Sequence, residues 1–319
     1  MKQLDVVTFG EAMAMFMANH PGTLHDVNQF TRELAGAETN VAIGLARLGF
    51  GSGWASKVGN DAFGKFIMNR LKNENVNIDH VLVDNKYPTG FQLKSMVLQG
   101  DPEVQYFRKG SAASHLSVVD FNEEYFHGAK HMHMTGIPLA LSESARAFAK
   151  HALTFMKKNG SKVSFDPNLR PTLWASQEEM VKEINEVAFQ ADYVLPGLAE
   201  GEILTGFNNP RDIASFYLDK GVELVVIKLG PAGAFYKTAT DEETVLGFPV
   251  EKVVDTVGAG DGFAVGVISG LLDGISIQEA VGRGNAIGAL AVQSPGDNDG
   301  YPTRVQLEKY IENTFQGVK

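Results

Sequence analysis

Short apolar runs alternate along this chain with longer amphipathic segments, and glycines often mark the change from one to the other. The apolar runs predict strands, at residues 4–9, 53–58, 131–135, 162–166, 193–195 and 224–229. The longer segments predict helices, at residues 39–48, 62–73, 142–159, 177–188, 210–220, 260–272 and 277–291. Strands that alternate with helices of this length favour a parallel sheet covered by helices on both faces.

Two extended regions do not fit this alternation. Residues 12–18 are apolar and extended in style, with methionine at every second position (Met13, Met15 and Met17), and residues 90–108 predict a hairpin around Gly100-Asp101-Pro102. A further hairpin is predicted from residues 233–237 and 245–249. We interpret the first two regions as a small sheet that stands off the main one.

Length and composition exclude several classes of protein. The chain has 319 residues, a net charge of −10 and no cysteine, so a large α/β domain is expected without disulfides or thiolate chemistry. An acidic chain is a poor candidate for binding nucleic acid or anionic membranes. The sequence shows neither a signal-peptide pattern nor a long apolar run, so we expect a cytoplasmic location.

The strongest local motif is VVDTVGAGDGFAVG at residues 253–266, which predicts a strand ending at Asp255 and a helix after a turn. The turn is made of small residues, Gly258, Ala259 and Gly260. Small residues before a helix N-terminus allow the backbone amides to bind an anion closely. Asp261, which follows them, could accept a proton from a hydroxyl group or could cap the helix.

Two other phosphate-binding patterns fail. The dinucleotide pattern G-x-G-x-x-G is broken here because Phe263 stands in place of its third glycine. The chain also lacks such a turn after its first strand, which disfavours an NAD-dependent oxidoreductase. Residues 59–65 read G-x-x-x-x-G-K, but Phe66 follows where a P-loop requires Ser or Thr.

Two more segments carry candidate site residues. Asn40 lies in the first turn of a helix after a glycine turn, where it could hydrogen bond a polyol or belong to an ordinary capped helix. Asp166, Asn168 and Arg170 leave the carboxyl end of a strand together. Ligands bind at this edge of open α/β sheets, so Arg170 could hold a carboxylate or phosphate, the alternative being a surface turn.

Two pairs of side chains share a strand face. Tyr106 and Arg108 could bind an acidic sugar or could belong to cross-strand packing. His131 and His133 have no third ligand nearby in sequence, so two buried histidines are favoured over a metal site.

Several of these motifs together resemble the ribokinase-type, or PfkB, carbohydrate kinases over essentially the whole chain. The resemblance rests on residues 35–40 (AGAETN), with Gly49 and Gly59 at the family's spacing, and on DTVGAGD at residues 255–261. Within the family, the chain is most similar to 2-keto-3-deoxygluconate kinases, through the phrases TFGEAMAMF, YFRKGSAAS, FDPNLRPTLW, LPGLAEGEILTG and GNAIGALAVQSPGDNDG.

The resemblance implies a single ribokinase-like domain over residues 1–319, a three-layer α/β/α fold with a mostly parallel central sheet. A small β-sheet lid, from about residues 12–33 and 88–110, would be inserted in it, and through it we expect a homodimer or higher homo-oligomer. The implied reaction transfers the γ-phosphoryl group of ATP, with Mg²⁺, to O6 of the sugar acid. A fructokinase or ribokinase type and a non-catalytic sugar or nucleotide sensor are the alternatives, and the intact Asp261 motif disfavours the sensor.

The resemblance also implies roles for individual residues. Asp261 would be the general base, and the amides of Gly258, Ala259 and Gly260 would hold the transferring phosphoryl group. The implied substrate contacts are Gly36, Ala37, Asn40, Phe91, Tyr106, Arg108, Arg170 and Asp261, with Phe91 standing where some relatives have Tyr. The implied nucleotide contacts are Asn168, Lys228, Gly230, Gly233, Gly258, Gly260, Asn285 and Gly296.

Two metal assignments follow in the same way. Many relatives carry N-x-x-E for the Mg²⁺–phosphate water network, and here Gly197 replaces the Asn while Glu200 keeps the acid. Glu200 would therefore act on Mg²⁺ through water. Some relatives are activated by a monovalent cation, which leaves K⁺ open here near Asp255, Val257 and Gly296.

Overall fold

A computed structural model describes residues 4–97 and 102–316 of the chain. Within these residues the strands are β1 (Val6–Phe9), β2 (Met13–Pro21), β3 (Phe30–Ala35), β4 (Ser52–Gly59), β5 (Val81–Asp84), β6 (Phe91–Met96), β7 (Val104–Phe107), β8 (His131–Thr135), β9 (Lys162–Asp166), β10 (Tyr193–Val194), β11 (Leu224–Lys228), β12 (Ala234–Lys237) and β13 (Glu242–Val245). The α-helices are α1 (Ala37–Arg47), α2 (Ala62–Asn73), α3 (Glu123–His127), α4 (Ile137–Leu141), α5 (Glu143–Lys158), α6 (Gln177–Ala188), α7 (Leu198–Thr205), α8 (Pro210–Leu218), α9 (Ala259–Asp273), α10 (Ile277–Ala291) and α11 (Arg304–Gln316). Throughout these ranges, every helix is too short or too polar to cross a membrane.

In the described part of the chain, nine strands form the large sheet, in the order β13-β12-β11-β10-β9-β8-β1-β4-β5. The strands from β11 to β5 pair in parallel, and β12 and β13 add an antiparallel edge. From β1 the chain first proceeds through β4 to β5 and then returns to β8 on the other side. Strand order therefore reverses beside β1, and ligands bind outside the carboxyl ends of strands at such a point.

The strands of the large sheet are apolar because both faces are covered. On one face, Phe148, Ile184 and Ile213 of helices α5, α6 and α8 belong to one buried core. On the other face, α1, α9, α10 and α11 contribute to a second core, with Val265 and Ile287 at its centre. This arrangement confirms the three-layer α/β/α fold with a mostly parallel sheet.

The two extended regions that do not fit the strand–helix alternation form a separate four-stranded sheet in the order β3-β2-β6-β7. Strand β2 pairs antiparallel with β3 and parallel with β6, and β6 pairs antiparallel with β7. The hairpin expected around Gly100-Asp101-Pro102 has its two arms in β6 and β7, but residues 98–101 of its turn lie outside the described residues. We call this four-stranded sheet the lid.

Two sequence predictions are wrong. Residues 253–255 are not a strand, because the backbone N–H groups of Val254 and Asp255 donate to Val292 O at the end of α10. The second arm of the predicted hairpin at 245–249 is instead Glu242–Val245, a polar strand that pairs with β12 at the sheet edge. Helices α3, α4, α7 and α11 also form where no helix was predicted.

The G-x-x-x-x-G-K segment at residues 59–65 has a structural explanation. The Asp61 carboxylate caps α2 by accepting hydrogen bonds from the N–H groups of Phe63 and Gly64. A Cβ atom built on Gly64 would lie 2.2 Å from the carbonyl oxygen of Gly59. These glycines therefore allow α2 to pack closely on β4, and the segment does not act as a P-loop.

Candidate active site

A cavity of about 350 Å³ lies between the lid and the carboxyl ends of the large sheet. Its walls come from both parts of the molecule, since Gln92, Lys94 and Tyr106 line it from the lid. Asp166 at the end of β9 and Asp261 at the start of α9 line it from the other side. The reversal of strand order therefore places the cavity where an open α/β sheet binds its ligands.

Asp261 lies in the first turn of α9 and is 9% exposed. Its Oδ2 accepts a hydrogen bond of 2.8 Å from Asn40 Nδ2, and its Oδ1 lies 3.4 Å from Asn168 Nδ2. Burial raises the pKa of Asp261 to about 8, and the nearby carboxylates of Asp166 and Asp297 add to the effect while Asn40 opposes it. A carboxylate whose pKa lies near neutrality has the proton affinity that a general base needs.

The N-terminus of α9 opens into the cavity beside Asp261. Gly258 holds a left-handed conformation (φ 82°), and a Cβ atom there would lie 1.8 Å from the carbonyl oxygen of Asp297. The Tyr301 hydroxyl donates to Gly258 O at 2.6 Å and fixes the turn. The ammonium of Lys228 lies 3.6 Å from where a Cβ of Gly260 would be. A helix N-terminus and a lysine thus meet at one point, which suits a phosphate group.

Lys228 is held in place by Asp166. Its Nζ lies 2.6 Å from Asp166 Oδ2. Burial, the largest single effect, would lower the pKa of Lys228, but the carboxylates of Asp166, Glu200 and Asp261 together outweigh it, and the pKa is raised. The other oxygen of Asp166 accepts the backbone N–H of Asn168 at 3.1 Å, and Asn168 has a positive φ of 39°. This tight turn directs Asn168 toward Asp261.

The two arginines that line the cavity differ in their partners. Arg108 is 9% exposed, and its guanidinium lies 2.6 Å from Glu11 Oε2. Glu11 also accepts a hydrogen bond from the Ser111 hydroxyl. Arg170 donates to Leu169 O at 3.0 Å, and within the described residues no carboxylate forms an ion pair with it. Arg170 is therefore the cation of the cavity whose charge is not neutralised by an acidic side chain.

Glu200 lines the cavity from the N-terminus of α7. Its two carboxylate oxygens accept the backbone N–H groups of Leu169 and Gly197, each at 2.8 Å. Glu200 therefore ties α7 to the turn after β9. A carboxylate offers about four lone-pair positions, so Glu200 can still accept hydrogen bonds from water.

The cavity brings together most of the residues that sequence reasoning selected. They are Gly36, Ala37, Asn40, Tyr106, Arg108, Asn168, Arg170, Glu200, Lys228, Val257, Gly258, Gly260 and Asp261. Phe91 does not line the cavity. Alternation along β6 turns Gln92 and Lys94 inward and Phe91 outward, where its ring stacks on Phe107 with centroids 4.5 Å apart.

The expected nucleotide contacts Gly233 and Asn285 lie together outside this cavity, with Gly230 in the same turn as Gly233. A Cβ atom on Gly233 would lie 2.1 Å from Val245 O, and Asn285 Nδ2 donates to Val245 O and Leu246 O at 3.0 Å. These residues therefore hold the segment after β13 against α10.

The remaining expected residues flank the cavity. Gly296 precedes the cavity residue Asp297 and has φ 82°, and Ala259 is the first residue of α9. Asp255 pairs with Lys94 at 2.5 Å.

Among the charged and amide side chains that line the cavity, sequence reasoning missed four: Glu11, Gln92, Lys94 and Asp297. The sequence pattern could have indicated Gln92 and Lys94, because polar side chains at every second position of β6 predict one polar face of that strand. Glu11 and Asp297 are single acids in loops, and their partners are distant in the sequence.

The two expected histidines are buried and share one partner. His131 Nε2 lies 2.7 Å from Ser164 Oγ, and His133 Nδ1 lies 2.8 Å from it. Burial lowers the pKa of both histidines to about 3. No cluster of three metal-binding side chains occurs among the residues that the structure describes.

The fold and this cavity define the class of protein, an α/β protein that binds a small ligand at the carboxyl ends of a mostly parallel sheet. The comparisons with known proteins give the family. A model described as "pfkB family carbohydrate kinase" matches residues 3–304. The chain belongs to this family and is a sugar kinase.

Individual relatives cover nearly the whole chain. It is 56% identical over 310 residues to "2-dehydro-3-deoxygluconokinase" of Bacillus subtilis, covering 97% of this chain and 96% of that protein. The crystal structure of a PfkB protein from Polaromonas sp. JS666 is 49% identical, with a TM-score of 0.89, covering 96% and 99% of the two chains. A putative ribokinase II from E. coli in complex with ATP and Mg²⁺ is 30% identical, with a TM-score of 0.90, covering 97% and 99%.

Proposed function

We propose that this protein is a 2-keto-3-deoxygluconate kinase, which transfers the γ-phosphoryl group of ATP to O6 of that sugar acid. The name of the relative at 56% identity gives the same sugar acid in its systematic form. The observation that carries the proposal is Arg170, a cation that lines the cavity without an acidic partner among the described residues. A substrate carboxylate would supply that partner, whereas a neutral sugar would not.

Asp261 is the proposed general base. Asn40 holds its Oδ2, so Oδ1 is the oxygen better placed to accept the proton of the O6 hydroxyl. As that proton moves to Asp261, a bond forms between O6 and the γ-phosphorus, and the bond between the γ-phosphorus and the β–γ bridging oxygen breaks. ADP leaves with the electron pair of that bond.

The charge of the transferring phosphoryl group would be stabilised at the N-terminus of α9. The amides of Gly258, Ala259 and Gly260 lie there, and Lys228 adds a fixed positive charge. Asp166 keeps Lys228 charged and oriented before the substrates bind. Such preorganised groups need little rearrangement during the reaction, which is the main source of their effect.

The residues present fit a magnesium ion that arrives with ATP. Mg²⁺ keeps several waters and needs only one or two protein carboxylates, and Glu200 lines the cavity with lone pairs to spare. When bound, Mg²⁺ would neutralise phosphate charge. Glu200 would contact its water shell, and Asn168, Gly230, Gly233, Asn285 and Gly296 are the proposed nucleotide contacts.

A monovalent cation at Asp255 and Val257 does not fit in the same way. Asp255 Oδ2 is paired with Lys94, and Asp255 Oδ1 accepts the Val257 N–H at 3.1 Å. Both carboxylate oxygens are therefore engaged, and no step is assigned to such an ion.

The lid would complete the substrate site. All four of the expected contacts line the cavity: Gly36 and Ala37 would contact the sugar from the main domain, and Tyr106 and Arg108 would close the lid end of the site. Because Arg108 is paired with Glu11, we assign Arg108 to shaping the lid and Arg170 to binding the carboxylate. A closed lid excludes water, which otherwise competes with O6 for the phosphoryl group.

The substrate is tested by measuring ADP release with ATP·Mg²⁺ and four sugars: 2-keto-3-deoxygluconate, 2-keto-3-deoxygalactonate, fructose and ribose. We expect a kcat/KM for 2-keto-3-deoxygluconate about a hundredfold above those for fructose and ribose, which corresponds to ~2.7 kcal/mol. As a matched control, 3-deoxyfructose keeps O6 and replaces the carboxylate by an alcohol. Equal turnover of this control, or a preference for fructose or ribose, would favour the fructokinase or ribokinase type.

We also propose that the protein forms a homodimer through the lid. Tyr106 is 46% exposed and Phe107 is 44% exposed on the edge strand β7. Exposed aromatic side chains on an edge strand favour association. Light scattering on the wild type and on a Phe107→Ser variant tests this, and an unchanged mass would place the contact elsewhere.

A further inference from the structure

Lys94 is a buried cation that joins the lid to the loop before α9. It lies on lid strand β6 and is 2% exposed. Its Nζ lies 2.5 Å from Asp255 Oδ2 and 3.4 Å from Asp297 Oδ1. These two acids belong to loops of the main domain, 161 and 203 residues further along the chain.

Both partners of Lys94 control the position of Gly258. Asp255 lies three residues before Gly258 in the same loop, and its Oδ1 accepts the Val257 N–H. The carbonyl oxygen of Asp297 packs against Gly258 so closely that a Cβ atom there would lie 1.8 Å away. A change at Lys94 would therefore reach the turn that presents the amides of α9.

Two buried carboxylates at this point require a positive charge. An unpaired carboxylate in a protein interior is strongly destabilising, so removal of the cation would push the two acids apart or draw in another cation. A buried ammonium is a compact point charge with three donors, and a small monovalent ion has a similar size and charge.

We infer that Lys94 supplies, from the lid, the positive charge that a monovalent cation would supply at Asp255 and Val257, so that turnover needs no added K⁺. Lys94 is then a positioning residue, which acts through Asp255 and Asp297 on the amides at Gly258. The inference rests on the proposed use of the α9 N-terminus as the phosphoryl site.

The test compares the wild type with Lys94→Met, which is neutral and of similar length, and Lys94→Arg, which keeps the charge. Lys130→Met is the matched control, because it removes an exposed lysine that is paired with Asp5. We would measure kcat and KM for ATP at fixed ionic strength in tetramethylammonium chloride, whose ion is too large for the site, and in KCl or NH₄Cl. The melting temperature of each variant is measured in the same salts.

We expect K⁺ to change the kcat of the wild type and of Lys130→Met by less than about twofold. Lys94→Met should lose at least about tenfold in kcat in tetramethylammonium and regain most of it with K⁺ or NH₄⁺. Its melting temperature should rise in these two salts alone, as expected when an ion binds the folded state. Lys94→Arg should keep more activity than Lys94→Met without K⁺.

Three results would overturn the inference. The first is a wild type that K⁺ activates about tenfold or more, and the second is a Lys94→Met variant with wild-type kcat in tetramethylammonium. The third is a folded Lys94→Met variant that neither K⁺ nor NH₄⁺ rescues or stabilises. The wild-type measurement requires no variant to fold. The melting measurements need no sugar, so a wrong substrate assignment would not be mistaken for a failure of this inference.

Discussion

The hydrogen bond from Asn40 to Asp261 gives a prediction about the pH at which the enzyme works. Asn40 is 1% exposed, and its Nδ2 donates to Asp261 Oδ2 at 2.8 Å. This bond favours the ionised carboxylate and so opposes the burial that raises the pKa of Asp261 to about 8. Removing the donor with Asn40→Ala should therefore raise the pKa of Asp261 further.

The magnitude follows from the strength of such a bond. A hydrogen bond to a charged group contributes about 1.5–3 kcal/mol. One pKa unit corresponds to about 1.36 kcal/mol. The midpoint pH at which kcat/KM rises should therefore increase by about one to two pH units. Near pH 7 the ionised fraction of Asp261 should then fall by about tenfold to a hundredfold, and activity should recover at higher pH.

The assay is ADP release at low sugar concentration from about pH 6 to about pH 10, since kcat/KM reports the free enzyme. Asn298→Ala is a control variant that should have a smaller effect on the pH profile. Asn298 Nδ2 donates to Asn40 Oδ1 at 2.9 Å and holds the amide with its NH₂ toward Asp261. Its loss should move the profile in the same direction by less. An unchanged midpoint in Asn40→Ala, or a loss that is equal at every pH, would refute the reasoning and leave Asn40 as a binding residue.

Three further predictions concern other cavity residues. Asp261→Asn should lower kcat by about 10²–10⁴-fold while ATP still binds by calorimetry, and near-normal turnover would exclude the general base. Because the folded-state pKa of Asp261 is raised from 3.8 to about 8, stability falls as pH rises between these values, so this variant should melt higher than wild type at pH 8 and equally at pH 4. Arg170→Gln should raise KM for the sugar acid by at least about tenfold and leave KM for ATP nearly unchanged, and the opposite pattern would move Arg170 to the nucleotide. Gly258→Ala should lower the melting temperature and kcat together, because its Cβ would collide with Asp297, and an unchanged melting curve would argue against the close contact.

Much of the fold could be predicted from the sequence because parallel strands are buried on both faces. Strand β8 occupies His131–Thr135 and β9 occupies Lys162–Asp166, as the apolar runs predict. Helices α2, α6 and α10 also occupy the residues that their patterns predict, and each begins after a polar N-cap, Asp61, Ser176 or Ser276, whose side chain accepts a backbone N–H of the first turn. Local patterns suffice where local and tertiary preferences agree.

The wrong strand predictions have a common cause: whether a segment finds a neighbouring strand to pair with is not specified by its local sequence pattern. Val253 and Val254 have strand-forming side chains but remain 58% and 46% exposed, because the loop bonds to the end of α10 and finds no partner strand. The reverse holds for β13, whose polar residues extend only because β12 offers its free edge. An apolar run predicts a strand when a neighbour exists to complete it.

The candidate site shows the same limit. The small residues around Gly258 and the position of Asp261 can be recognised locally, because each motif lies within one turn and one helix. The ion pairs cannot be recognised in this way. Arg108 and Glu11 are 97 residues apart, and Lys94 and Asp255 are 161 apart. Sequence reasoning therefore proposed Arg108 as a substrate-binding cation but could not show that Glu11 already neutralises it.

The pairing of these cations bears on how an acidic protein can select an acidic sugar. Of the four basic side chains that line the cavity in the described part of the chain, Lys94, Lys228 and Arg108 are paired with carboxylates. These pairs keep the charges buried and oriented, but they leave little net attraction for an anion. Arg170 is the exception. A bidentate contact of its guanidinium with a carboxylate forms charge-assisted hydrogen bonds worth about 1.5–3 kcal/mol each. One such arginine is therefore enough for the hundredfold preference over a neutral sugar that we expect.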